Sequence, residues 1–205
     1  MRLLNRLLIL ATFTAVTFST LSAAYPTAPL AVGQSIPAAN LRTDKGDAIT
    51  LKSAIVKPTV LIFYRGGWCP YCNRQLSALA TIEADILAAG FQLIALSPDV
   101  PAKLREKPAM EKTNYTLLSD SAMEAAQGFG IAFKVEDELV AKYKNSYKID
   151  LEAASGSTHH LLPHPAVFIV DATGVIRFAH VNTDYKVRLE PEKILAAIKE
   201  VSAAK

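Results

Sequence analysis

Apolar and polar positions follow several distinct rhythms along this chain, and each rhythm predicts an element. "TVLIFYR", residues 59–65, is β-branched and aromatic with no polar alternation, which predicts a strand covered on both faces. From Pro70 the period becomes helical: Leu76, Leu79, Ile82, Ile86 and Leu87 fall on one face, and Gly90 is well placed to end the helix. "FQLIALS" predicts a second buried strand, and "VPAKLREKPAMEK" a helix interrupted or ended near Pro108. "YTLLSD" then predicts a short strand and "SAMEAAQGFG" a short helix stopped by its glycines. Residues 135–147 read as another helix, followed by a loop through "SGSTHHLLPHP".

Two stretches carry hairpin signals. "ANLRTDKGDAITL" predicts short strands joined by a Lys45-Gly46 turn beside Asp44, and "AVFIVDATGVIRFAHV" an apolar strand, a turn at residues 171–174 and a return strand. "LEPEKILAAIKEVSAA" closes the chain as a helix with Pro191 in its first turn. There are no repeats, low-complexity tracts or interdomain linkers. Strands and helices in this order argue for one α/β domain, a central mixed β-sheet flanked by helices, with an N-terminal β-hairpin and a helical insertion over 132–162.

The first two dozen residues have another character. Arg2 and Arg6 precede an apolar run from Leu7 to Phe18, and Ser22 and Ala24 suit the −3 and −1 positions of a signal-peptidase site. The expectation is a cleaved signal peptide over 1–24, a single domain over 25–205, and export, most simply to a periplasm. The alternative is an uncleaved anchor, against which the run is short, since spanning a bilayer takes roughly 20 residues. The formal net charge is +3, and part of it belongs to that leader. Nothing here has the strong basic patch of a nucleic-acid footprint.

Only two cysteines occur, in "YRGGWCPYCNRQL". An exported disulfide scaffold would carry many; two that are closely spaced suggest a working redox pair. Pro70 suits the first helical position, which makes Cys69 the N-cap and Cys72 the third helical residue. A Cys69 thiolate would then face free backbone N–H groups and the positive end of the helix dipole, lowering its pKa below the free-thiol value of about 8.5. Arg65 and Arg74 are candidates to add positive potential. One helical turn lets the sulfurs meet, so the redox group would be a Cys69–Cys72 disulfide with no other cofactor. A purely structural clip would close a very short loop and remove little unfolded-state entropy. A closed zinc site would need four ligands, and without a second CxxC the others would be His159, His160 and His164 in a polar, loop-like stretch. His180, in a strand pattern, reads as an ordinary surface or core histidine.

With strand, CxxC and helix in place, the chain resembles the thioredoxin superfamily. It is most similar to the peroxiredoxin-like branch of the alkyl hydroperoxide reductase/thiol-specific antioxidant (AhpC/TSA) family. The likeness rests on "VGQSIPAANLRTDKGDAITL", "TVLIFYRGGWCPYCNRQL", "LIALSPD", "LLSD" and "PAVFIVDATGVIRF". It implies a thioredoxin-like fold and places Cys72 where a peroxiredoxin has its peroxide-attacking cysteine. Cys69 then stands at that family's threonine, and Pro165 at its thiolate-stabilising arginine. In the thioredoxin pattern Pro165 would instead be a cis-proline facing the CxxC, and with Trp68, Pro70 and Tyr71 it would border the substrate. Ile62 occupies the strand position where many thioredoxins bury an acid.

Three functions are compatible with these residues. The first is an exported thiol-disulfide oxidoreductase with antioxidant activity, Cys69 the nucleophile and Cys72 the resolving thiol. The second is a thiol peroxidase with those roles reversed. The third is a copper-binding redoxin using both thiolates and His164, since soft sulfur suits Cu(I). Partners would be a thiol, disulfide or peroxide substrate and an electron donor, not nucleic acid.

Overall fold

The computed structural model describes residues 25–106 and 115–203. The expected leader lies outside them, as do residues 107–112 of the helix expected over 100–112; the described residues 100–106 form a 3-10 turn at Pro101–Lys103 rather than the first turns of an α-helix.

The apolar run in the middle of the chain does form a strand covered on both sides. Strand β3 (Thr59–Phe63) is buried at every position, and its alternate residues feed two cores. Val60 and Ile62 pack among the residues of helices α2 (Pro70–Thr81), α3 (Glu83–Ala88) and α7 (Pro191–Ala203). Leu61 and Phe63 join the opposite core, with residues of α1 (Leu51–Ala54) and α4 (Glu124–Gly128). There Phe63, Phe129 and Phe168 meet with ring centroids 4.7–6.0 Å apart, at tilted or edge-on angles that suit aromatic quadrupoles.

The sheet runs β2 (Ala48–Thr50), β1 (Asn40–Thr43), β5 (Thr116–Ser119), β4 (Gln92–Ser97), β3, β8 (Ala166–Val170), β9 (Ile176–Val181). Strands β4 and β5 extend β3 in parallel. Strands β8 and β9 follow on its other side, antiparallel. The N-terminal hairpin, β1 and β2, adds to the far edge through β5. This is the mixed sheet between helices that the element order predicts.

Three local expectations change. The helix from Pro70 is two helices, broken at Ile82 (φ −107°, ψ 4°), so that α3 re-aims Ile86 into the core and leaves Leu87 exposed. The second correction concerns residues 132–162, which are not purely helical. They begin and end in a two-stranded sheet, β6 (Ala132–Lys134) with β7 (Leu161–Pro163), enclosing helices α5 (Asp137–Ser146) and α6 (Leu151–Ser155). Thirdly, the stretch 155–165 is therefore not all loop, because Leu161 and Leu162 pair with Phe133 and Lys134 rather than facing water.

Candidate active site

The two cysteines sit where β3 hands over to α2. Gly66 turns the chain at φ +138°, and a Cβ there would collide with Trp68 Nε1 and lie 2.8 Å from Asp99 Oδ1, so only glycine fits. Asp99 accepts a hydrogen bond from Gly67 N at 2.7 Å, Cys69 N donates to Gly66 O at 3.1 Å, and Asn73 Nδ2 donates to Gly67 O at 2.8 Å. These three bonds tie the loop to β4 and to α2. Burial pushes the Asp99 carboxyl up to about 6, against the pull of the Gly67 amide.

Cys69 is the N-cap of α2, with Pro70 at the first helical position, and its Sγ accepts from Cys72 N at 3.4 Å. Both sulfurs are free thiols, 2% and 0% exposed. Cys69 is pulled down to about 6. The Cys72 thiol donating to it is the largest cause, and the Cys72 backbone N–H, Arg188 and Arg65 add to it, against the opposing effect of burial. Cys72 is pushed the other way, by burial first and then by the neighbouring Cys69. In the reduced pair the charge therefore rests on Cys69 and the shared proton on Cys72. The helix-start argument accounts for Cys69 only in part, since the partner thiol contributes more.

Two arginines serve the sulfurs, and only one was expected. Arg65 is 3% exposed, donates from Nη2 to Tyr143 Oη at 2.9 Å, and lies against four rings. Its guanidinium carbon is 4.7 Å from the Tyr185 ring centre and 5.6–5.9 Å from those of Trp68, Tyr143 and Phe133. No carboxylate pairs with it among the described residues, so aromatic faces and the Cys69 charge answer a cation that would otherwise be costly to bury. The second is Arg188, whose Nη2 stands 3.2 Å from Cys72 Sγ and 3.9 Å from Cys69 Sγ. It arrives on the segment between β9 and α7, which is ordered by turns at Asn182 and Asp184 and anchored in the core by Leu189.

Arg74 is not at the sulfurs. It stacks on Tyr71, 5.3 Å from the ring centre, on the outer side of the helix. Tyr71 in turn meets Tyr185 edge-on at 5.5 Å, and Pro70 is exposed. Trp68 packs 5.8 Å from Tyr143 and borders a cavity of about 220 Å³ with Asp99 and Lys103. The cis-proline expectation is corrected: no cis peptide occurs among the described residues, and Pro165 is buried beside Gln75 and Arg188. Its carbonyl is occupied by Asn182 N. His164 stacks on Phe133 at 4.5 Å, and burial together with Arg65 holds it below the usual imidazole range. Among the described residues no three His, Cys, Asp or Glu side chains are grouped to hold a metal ion.

Sequence reasoning missed Arg188, Tyr143 and Asp99. Arg188 carries no local signal, because the contact spans 116 positions. Asp99 ends the "LIALSPD" stretch and was within reach of a motif-based reading.

Comparison with known proteins bears on the family and the fold. The model of the AhpC/TSA family matches residues 32–179. Peroxiredoxin Bcp of Escherichia coli is 26% identical over 172 residues, covering 84% of this chain and 97% of its own. A bcp peroxiredoxin of Haemophilus influenzae is 30% identical over 103 residues, 50% of this chain and 66% of that one. Among solved structures, a peroxiredoxin-like protein from Aquifex aeolicus superposes with a TM-score of 0.65 at 20% identity, covering 84% of this chain and 88% of its own.

Proposed function

The chain belongs to the AhpC/TSA family and is an oxidoreductase, and from that premise we propose that it is a thiol peroxidase in which Cys72 attacks the peroxide and Cys69 resolves. The observation that carries this reading is Arg188 Nη2 at 3.2 Å from Cys72 Sγ. The family's arginine position holds Pro165, yet a guanidinium reaches the same sulfur from another segment. The peroxidase alternative therefore displaces disulfide exchange led by Cys69 as the better-supported function.

The pair's electrostatics suit this chemistry. Cys72 attacks the outer peroxide oxygen as its proton passes to the Cys69 thiolate, and the O–O bond breaks. The leaving alkoxide takes that proton and departs as alcohol, leaving Cys72 as sulfenic acid. Cys69, again a thiolate, attacks the Cys72 sulfur, expels hydroxide, which solvent protonates, and closes the disulfide. A thiol in the place of the family's threonine thus acts first as base, then as resolving group. The leader-like residues 1–24 support an exported setting for the enzyme.

A second reading keeps Cys69 as the first nucleophile toward disulfides, and its lowered pKa of about 6 favours it. Single substitutions separate the two. We expect Cys69→Ser, which loses the base but keeps Arg188 beside Cys72, to react with hydrogen peroxide more slowly than the native protein and to hold a sulfenic acid at Cys72, detectable by dimedone labelling and mass spectrometry. The peroxidase assignment is falsified if that variant stays unlabelled while Cys72→Ser accumulates mixed disulfides through Cys69.

A further inference from the structure

Arg188 has two sides. Its Nη2 is committed to the sulfurs, while Nε and Nη1 are buried without a hydrogen-bond partner. It also lines a groove of about 140 Å³ that runs along the first turns of α2, beside Tyr71, Arg74, Gln75, Lys186 and Glu190. Three cations and one carboxylate leave that groove positive. Arg74 and Lys186 are exposed and stack on Tyr71 and Tyr185, which holds their charges over the opening. The groove meets the sulfurs through Arg188, and its volume suits a small molecule.

We propose that this groove binds the carboxylate of a small anionic thiol, the reductant that returns the Cys69–Cys72 disulfide to the dithiol. The proposal rests on the reading that the pair cycles through a disulfide. The redox state of the cysteine pair, felt at Arg188, selects the reductant over the peroxide. In the dithiol form the guanidinium already faces a thiolate; in the disulfide form that anion is gone, and Arg188 is free to meet another. Bound there, the thiolate attacks Cys69 Sγ, breaks the S–S bond and releases Cys72 as a thiolate beside Arg188. A second equivalent attacks the external sulfur of the mixed disulfide and departs as the oxidised dimer, so two thiols supply the two electrons.

The test uses the full chain oxidised with diamide, which needs no peroxide step. Its reduction by 3-mercaptopropionate and by cysteamine is followed at matched thiolate concentration through Trp68, the chain's one tryptophan. The rate ratio of anionic to cationic thiol is expected to fall about five-fold in Arg74→Ala/Lys186→Ala, and in the native protein to shrink as salt rises. Lys186→Glu alone should lower the ratio as well. A ratio that neither variant moves overturns the proposal. So does a charge preference confined to the reduced protein reacting with a carboxylate-bearing alkyl hydroperoxide, because the groove would then serve the peroxide. Failure of the reduced protein to consume any peroxide would instead sink the peroxidase reading and leave this comparison intact.

Discussion

Cys69 and Cys72 share one proton and one negative charge, and the residues around them decide where each rests. Cys69 has the helix's first amides and the partner thiol; Cys72 has near-complete burial and Arg188. Because an opposite charge at this range shifts a thiol by roughly 1–3 pKa units, removing Arg188 has a measurable signature. Arg188→Ala is expected to raise the first thiol titration, followed by thiolate absorbance near 240 nm, by about one unit. It is also expected to slow oxidation by peroxide on the order of a hundredfold, as for other losses of a charge-stabilising donor. Unchanged titration and rate would mean that Arg188 only packs against the sulfurs. At this scale the sequence was informative about Cys69, whose N-cap role follows from the local pattern Cys-Pro-Tyr-Cys. It was silent about Arg188, since no local rule links residues 119 positions apart.

The same division holds for elements. Strand β3, helix α2 and the two hairpins follow from period and turn chemistry, which act over neighbours in the chain. The break at Ile82 and the pairing of β6 with β7 do not, because packing and long-range strand pairing decide them. The inserted unit from β6 to β7 is where this matters for the site. It delivers Phe133 and Tyr143 to Arg65 and packs Tyr143 against Trp68. We expect Tyr143→Phe, which removes only the hydroxyl, to leave a buried cation short of an acceptor and cost about 1–3 kcal/mol in urea unfolding. The variant should also shift Trp68 emission and raise the Cys69 titration, because Arg65 is less well held beside it. A stability and a titration both equal to the native protein's would show the inserted unit to be a cover with no hold on the redox centre.

For the whole molecule, the thiol pair links redox state, pH and stability. The fold pulls Cys69 down to about 6 from about 8.5 in an unfolded chain, so its stabilising effect is complete above the higher value. It is lost as pH falls through the lower one. The disulfide form has no such group. The unfolding free energy of the dithiol form minus that of the disulfide form is therefore expected to grow by about 2 kcal/mol between pH 6 and 8.5, the raised Cys72 thiol beginning to oppose the gain at the upper end. Urea titrations of both forms across that range measure it, and a difference independent of pH would contradict the assigned charge on Cys69. By itself the sequence determined the covered strand, the helix beginning at a thiol, and the family that such an order of elements belongs to. Hydrophobic period, proline and glycine geometry all act locally. Only the tertiary structure decided which cations face the sulfurs, that the partner thiol is the largest influence on the charge at Cys69, and that Pro165 is trans. Those depend on burial and on distances between residues far apart in the chain, and a linear pattern does not record them.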